Sequence, residues 1–267
     1  VILMQQNLIN EMDEVSRKIE YLVGSATTIN EMRELAAKTP FDNEIIDFLN
    51  TLSKMLMKLP EAKMYPDVIT LAFWMRKSSV MELRKRFMKQ TKDIVLGRGI
   101  AFHIAPSNVP VNYAYSLVTG LLTGNANIVR IPSKEFPQVS IINKAIKSIL
   151  EEYPNVARYI CLVRYERDPN INDLISGIAD IRIIWGGDNT IKEIRKSPLG
   201  ARANDVTFAD RYSLAVIDSE QYLAVDDKER LAEEFYNDTY LSDQNACTSP
   251  RMVVWLGNCK EEAKELF

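Results

Sequence analysis

The sequence predicts an α/β protein, a doubly wound and mostly parallel sheet preceded by a helical N-terminal region. Three observations carry this prediction. From Gly97 onward, short runs rich in Val and Ile alternate with stretches of helical periodicity. Strands separated by helices read as βαβ units, and parallel crossovers are right-handed. Many of the runs are apolar along most of their length rather than alternating, as in sheets covered on both faces. Before residue 90, by contrast, apolar residues recur at three- and four-residue steps, the mark of amphipathic helices.

The elements are expected in the following order. Leu8, Met12, Val15, Ile19 and Leu22 share one helical face. Thr28 or Asn30 caps a second helix that runs through Leu35 and ends before Pro40. Asp42 opens a third, with Ile45, Ile46, Phe48, Leu49, Leu52, Met55 and Leu56 on its apolar side. Pro60 and Pro66 interrupt the chain, and a basic amphipathic helix follows around Met81, Leu83 and Phe87. Strands are then expected at Gly99–Ile104, Ala126–Ile131, Tyr159–Val163, Ile181–Trp185, Ser213–Ile217 and Met252–Leu256. Helices are expected between them, at Val111–Leu122, Pro137–Leu150, Ile171–Ile178, Thr190–Arg195 and Lys228–Tyr240, and the final residues read as helical.

Composition narrows the function classes. A chain of 267 residues suits one to two domains at about 150 residues each. Hydrophobic residues make up 46% and charged residues 26%, which excludes a disordered chain. A net charge of -3 argues against nucleic acid as a partner. No apolar run approaches the roughly 18 residues of a membrane span. The 3 cysteines, Cys161, Cys247 and Cys259, form no CxxC pair, so neither a disulfide framework nor a metal site is expected. A reducing cytoplasm is the expected compartment.

In an open parallel sheet, ligands bind beyond the carboxyl ends of the strands. Three such ends carry polar residues, and a fourth polar segment lies in a loop between a helix and the strand Met252–Leu256. The first is His103-Ile104-Ala105-Pro106-Ser107-Asn108-Val109-Pro110. Two prolines stiffen this loop around Asn108, and a rigid carboxamide is a good donor to an oxyanion. An Asx-turn closing a βα loop is the plainer reading. The second end runs from Gly124 through Arg130, Ile131, Pro132, Ser133 and Lys134. Arg130, Ser133 and Lys134 suit a ribose 2′-phosphate, or they are simply solvated turn residues. The third is Trp185-Gly186-Gly187-Asp188-Asn189, where paired glycines let a phosphate or nicotinamide approach the backbone. Asp188 or Asn189 is equally an ordinary helix N-cap.

The fourth segment is Ser242-Asp243-Gln244-Asn245-Ala246-Cys247-Thr248-Ser249-Pro250-Arg251. Its small and polar residues suit an exposed, hydrogen-bonded thiolate at Cys247. Cys161, inside an apolar strand, reads as a buried small hydrophobe. Cys259 follows a Gly-Asn turn and reads as incidental. The sole histidine, His103, is either a proton donor or a strand residue facing the core.

These segments occur in the order seen in the aldehyde dehydrogenase superfamily. The chain resembles its fatty acyl-CoA reductase family, which includes the reductase of bacterial bioluminescence. Pro106-Ser107-Asn108-Val109-Pro110 resembles the P-x-N-x-P loop whose asparagine serves the oxyanion hole. Asn127 through Ser133 resembles the cofactor strand with its lysine-proline-serine motif, although Ile131 stands directly before the proline and Arg130 one step earlier. Trp185-Gly186-Gly187-Asp188 stands where the superfamily has phenylalanine-threonine-glycine-serine. Asp243 through Pro250 resembles the nucleophile loop. The resemblance runs from about Gly97 to Leu256.

The resemblance implies a Rossmann-like fold of aldehyde dehydrogenase type. It implies a helical region at 1–95, a dinucleotide-binding domain at 96–241, and a nucleophile loop with the start of a largely missing catalytic domain at 242–267. It implies Cys247 and Asn108 as catalytic residues, and Ala105, Pro106, Ser107, Arg130, Ser133, Lys134, Gly186, Gly187 and Asp188 as cofactor contacts. The expected cofactor is NADPH, with NADH as the alternative. Phe208 stands where hydrolytic relatives carry a general-base glutamate. Without that base, acyl transfer to or from a thiol is the simpler chemistry. The implied reaction is reduction of a long-chain acyl-CoA or acyl-carrier thioester to the aldehyde. An acyl-protein synthetase partner and a homo-oligomer are implied for the whole protein. The alternatives are a semialdehyde dehydrogenase on a small substrate, or a catalytically incomplete piece that serves binding or assembly.

Overall fold

A computed structural model describes residues 17–90, 93–240 and 243–267. Contacts divide the chain into two compact units, Val1–Ala209 and Asp210–Phe267.

Among the described residues the first unit opens with strand β1 (Glu20–Val23) and helices α1 (Ala26–Met32), α2 (Asn43–Lys58), α3 (Pro60–Lys63), α4 (Pro66–Trp74) and α5 (Lys77–Gln90). Next come β2 (Ile100–Ile104), α6 (Asn112–Leu122), β3 (Ala126–Arg130), α7 (Pro137–Leu150), α8 (Pro154–Ala157) and β4 (Ile160–Arg164). The unit closes with α9 (Pro169–Ile178), β5 (Ile181–Trp185), α10 (Asp188–Ile194) and β6 (Asn204–Phe208). Among the described residues its sheet is six-stranded, in the order β1-β4-β3-β2-β5-β6. Strands β2 to β6 are parallel, in registers such as Ile100↔Ala126 and Ala101↔Ile181, while β1 is antiparallel to β4. The chain therefore runs outward from β2 in both directions, first through β3 and β4, then through β5 and β6. The switch point lies between β2 and β5, the place where such sheets bind ligands.

Residue types explain the order of burial. Phe102, Ile128, Val129, Ile160, Leu162 and Val163 are completely shielded, because helices cover both faces of β2, β3 and β4. Helix α2 presents Ile45, Phe48, Leu49, Leu52 and Leu56 to the core and packs against α4, α6 and α7. Each such side chain contributes roughly 1.5–3 kcal/mol by leaving water. Asp42 caps α2 as expected, accepting from the amides of Glu44 and Ile45.

Several expectations for the N-terminal region need correction. Leu8, Met12 and Val15 lie outside the described residues. The end of that expected helix is strand β1, because Glu20-Tyr21-Leu22-Val23 finds the open edge of β4. Four residues are too short a span for periodicity to tell strand from helix. Gly24 then turns the chain with φ +78°. Helix α1 is capped by Ser25, which forms a reciprocal capping box with Thr28, rather than by Thr28 or Asn30. Pro60 and Pro66 begin helices, where a missing N–H costs nothing.

The second unit contains β7 (Ala215–Asp218), α11 (Ser219–Leu223), α12 (Lys228–Tyr240), β8 (Val253–Leu256) and α13 (Lys260–Leu266). Strands β7 and β8 pair in parallel, Ala215 with Val253 through Asp218 with Leu256. The strand expected at Ser213–Ile217 thus does not extend the six-stranded sheet. The place beside β5 goes to β6, a strand not foreseen. Only a six-residue link joins β6 to β7, whereas a parallel neighbour needs a crossover of about a dozen residues. Tyr222 packs edge-on to Trp255 and Phe267, and its hydroxyl donates to the Leu266 carbonyl at 2.9 Å. Among the described residues no helix is long and apolar enough to cross a membrane.

Candidate active site

The loop after β2 begins as a continuation of the sheet, with the Ala105 amide donating to the Arg130 carbonyl at 3.1 Å. Ala105 is buried and Pro106 half-buried, while Ser107 and Asn108 are exposed. The amide of Asn112 donates to the Val109 carbonyl at 3.1 Å and starts α6. The two prolines therefore hold Asn108 on the surface, at the carboxyl end of the central strand.

Across the switch point, the Gly186 amide donates to the Phe208 carbonyl at 3.2 Å. Gly187 is the N-cap of α10 and supplies no side-chain cap, so neither Asp188 nor Asn189 takes that position. Asp188 is exposed in the first helical turn, where a carboxylate favours the helix dipole. A Cβ at Gly186 would press on the Thr190 side chain at 3.0 Å, so this turn keeps a bare backbone. The Trp185 indole stacks on the Phe208 ring, with centroids 3.9 Å apart and planes 10° from parallel.

At the end of β3, Arg130 donates to the Tyr165 carbonyl at 3.3 Å and lies over the Tyr165 ring. Its guanidinium is engaged toward β4. Ser133 and Lys134 are exposed, and the Lys134 ammonium sits 4.8 Å above the Phe136 ring. The donor set fits a dinucleotide. Hydroxyl and ammonium donors stand at the β3 end, and a bare turn stands at the β5 end. Among the described residues no group of three or more His, Cys, Asp or Glu is placed to hold a metal ion.

His103 faces the core and is 2% exposed. Its Nδ1 lies 2.7 Å from Ser116 Oγ and its Nε2 3.0 Å from Asn127 Oδ1. The proton-donor reading is therefore replaced by that of a structural histidine. Burial pushes its pKa down to about 4. The unfolded chain takes up this proton near pH 6.5, so between about 6.5 and 4 the unfolded state binds more protons. Stability is expected to fall across that window as pH drops, by up to about 3 kcal/mol, and this contribution levels off below pH 4. Denaturant unfolding between pH 7 and 4 checks this: His103→Asn should flatten the slope, and an unchanged slope would contradict it.

In the second unit the cysteine loop is tightly wound. Asp243 and Gln244 adopt left-handed φ values of 50° and 58°, while Ser242 lies outside the described residues. The Ser249 amide donates to the Ala246 carbonyl at 3.1 Å and closes a turn around Cys247. Ser213 Oγ donates to the Cys247 carbonyl at 2.7 Å, and the Ser213 carbonyl accepts from the Arg251 amide at 2.9 Å. Cys247 is exposed. Cys161 is buried, which pushes its thiol up to about 12 and leaves it inert. Cys259 is half-buried at the start of α13.

Sequence reasoning missed Ser116, Asn127 and Ser213. A signal existed for the first two, since each is a polar residue in an otherwise apolar run that must find a partner when buried.

The chain is 25% identical over 163 residues to the long-chain acyl-protein thioester reductase of Aliivibrio fischeri, a match covering 60% of this chain and 33% of that protein. It superposes on the aldehyde dehydrogenase of Bartonella henselae with a TM-score of 0.62 at 13% identity, covering 93% of this chain and 59% of that one. It superposes on the betaine aldehyde dehydrogenase of Staphylococcus aureus, solved with NAD+, with a TM-score of 0.56 at 15% identity, covering 83% of this chain and 47% of that one. The chain thus has the aldehyde dehydrogenase fold and spans about a third of the length of its acyl-protein reductase relative. The model of the acyl-CoA reductase (LuxC) family matches residues 7–266, and the chain belongs to that family.

Proposed function

We propose that this chain carries the dinucleotide crevice and nucleophile loop of a reductase that converts a long-chain acyl thioester to the aldehyde, with NADPH as the preferred cofactor over NADH. The observation that carries the reading is Cys247, exposed in a closed turn whose carbonyl is pinned by Ser213. The relative from Aliivibrio fischeri is a long-chain acyl-protein thioester reductase. An acyl group on a protein thiol or on coenzyme A presents the same carbonyl to Cys247.

The Cys247 thiolate attacks that carbonyl, and a carbon–sulfur bond forms. By the family resemblance, Asn108 and the Cys247 amide would be the oxyanion donors, and one such donor is worth roughly 3 kcal/mol in comparable sites. The carrier thiolate leaves, and the acyl group rests on Cys247. NADPH, when bound, supplies the hydride that reduces the acyl carbon. The Cys247–carbon bond then breaks and releases aldehyde. Ser133 and Lys134 would hold the ribose 2′-phosphate, with Arg130 bracing the same strand end. Ala105, Pro106 and Ser107 would border the pyrophosphate, and Gly186, Gly187 and Asp188 the second half of the cofactor. Phe208, which takes the place of a hydrolytic glutamate, is stacked on Trp185 and offers no carboxylate to activate water. A cytoplasmic setting, a synthetase that supplies the acyl-protein, and a homo-oligomer belong to the same proposal.

The test supplies a long-chain acyl-CoA and NADPH to a polypeptide carrying this chain and assays aldehyde by mass spectrometry. Aldehyde formation supports the reading, and release of free acid instead contradicts it. Asn108→Ala is expected to lower turnover by about 100-fold with NADPH affinity unchanged. Undiminished turnover would reduce Asn108 to a turn residue.

A further inference from the structure

Ser116 joins the two sides of the switch point through one hydroxyl. It sits on α6, the helix that follows the Asn108 loop, and is 5% exposed. Trp185 Nε1, at the end of β5, donates to Ser116 Oγ at 3.1 Å. The rest of the chain of bonds has a single polarity. Asn127 Nδ2 donates to the Asn125 carbonyl at 2.7 Å, so Asn127 Oδ1 faces His103 Nε2 and accepts. Nε2 therefore carries the imidazole proton, and Nδ1 is left to accept from the Ser116 hydroxyl. Indole nitrogen only donates, so Ser116 Oγ receives from Trp185 and gives to His103. The Ser116 hydroxyl is thus fixed from both sides within a buried network. Gly120 leaves room for it, since a Cβ there would land on Asn127 Oδ1.

This chain of bonds ends on the ring beside the glycine turn. Stacking on Phe208 sets the plane of the indole, and the bond to Ser116 holds its N–H edge. On the dinucleotide reading, Ser133 and Lys134 on the β3 side of the switch point would take the adenosine half, and the nicotinamide half would lie on the β5–β6 side, beside Trp185 and Phe208.

We propose that Ser116 is a positioning residue for the cofactor, acting through Trp185 to hold the indole against which the nicotinamide half packs. The inference rests on the dinucleotide reading above.

Two variants and two ligands test it on the 267-residue chain. Ser116→Ala removes the hydroxyl and leaves the indole whole, while Trp185→Phe removes the N–H together with the five-membered ring and keeps one aromatic ring to stack on Phe208. Dissociation constants are measured for NADPH and for 2′-phospho-ADP-ribose, which lacks the nicotinamide. Both variants are expected to bind NADPH about tenfold more weakly, the worth of roughly one hydrogen bond, and to bind 2′-phospho-ADP-ribose as the parent does. The loss in the double variant should be smaller than the sum of the two single losses, because the Trp185–Ser116 bond is common to both. Should Ser116→Ala fail to fold, Ser116→Cys, close in size and only a weak acceptor, decides in its place. Equal weakening toward both ligands, or unchanged NADPH affinity, overturns the positioning role while leaving the dinucleotide reading intact. A parent chain that binds neither ligand overturns both.

Discussion

Replacing Asp205 by alanine is expected to destabilise the first unit by about 3–5 kcal/mol. Arg182 is the second residue of β5 and is 1% exposed. Asp205 on β6 grips it with two bonds, Nε to Oδ1 at 2.8 Å and Nη2 to Oδ2 at 3.1 Å. Its Nη1 donates to Ser176 Oγ at 3.0 Å and to the Ser197 carbonyl at 2.9 Å. Four of the five guanidinium N–H groups are thus matched, and β5 is tied to β6 and to the end of α9. The alanine variant would strand a buried positive charge without its counter-ion. Replacing both partners by apolar residues of similar volume should recover most of the loss, because a buried pair contributes little beyond its own desolvation cost. Urea unfolding of the single and double variants measures both quantities. A single-variant loss below about 1 kcal/mol would mean that water reaches Arg182 and the pair behaves as a surface one. Dinucleotide binding should fall with stability in the single variant, since β5 aims Trp185 and the glycine turn at the crevice.

Cys247→Ala is expected to abolish aldehyde formation, a loss on the order of 10⁴ or more, because no other group forms the acyl intermediate. Cys247→Ser separates shape from chemistry. A serine hydroxyl keeps the turn and its bond from Ser213, yet attacks a thioester far more slowly without an adjacent base. Both variants should keep the parent melting temperature, since Cys247 is exposed and its loop is held by backbone groups. Turnover persisting in Cys247→Ala would move the chemistry elsewhere. Cys259 is a weak substitute, half-buried at a helix start, and Cys161 is inert inside β4.

The parallel sheet was legible because its strands are short, apolar and separated by well-punctuated helices. Pro137–Leu150, Ile181–Trp185 and Lys228–Tyr240 appear at their expected bounds. Two strands were not legible. Strand β1 is four residues long and exists only because β4 offers an edge, a tertiary fact that local periodicity does not contain. Strand β6 is mostly polar, Asn-Asp-Val-Thr-Phe, and its Asp205 pairs with the buried Arg182. An arginine inside the run Ile-Arg-Ile-Ile-Trp was the available signal, since a buried cation demands a carboxylate nearby. The six-residue link after β6 then sends β7 to β8 rather than to the large sheet.

The candidate site divides in the same way. Strand-end loops such as Pro106–Pro110 and Gly186–Gly187 announce themselves through proline and glycine. What fixes their geometry was hidden. The bond from Trp185 to Ser116 joins residues 69 positions apart, and the bond from Ser213 to the Cys247 carbonyl joins residues 34 apart. Neither pairing has a local sequence signature.

The proposed mechanism stands or falls on whether Cys247 carries the acyl group. Peptide mapping by mass spectrometry decides it, after the chain is incubated with a long-chain acyl-CoA and quenched without reductant. One acyl adduct is expected, on the peptide that contains Cys247, absent in Cys247→Ala and discharged as aldehyde when NADPH is added. An adduct on another residue, or an adduct unchanged in Cys247→Ala, would contradict it.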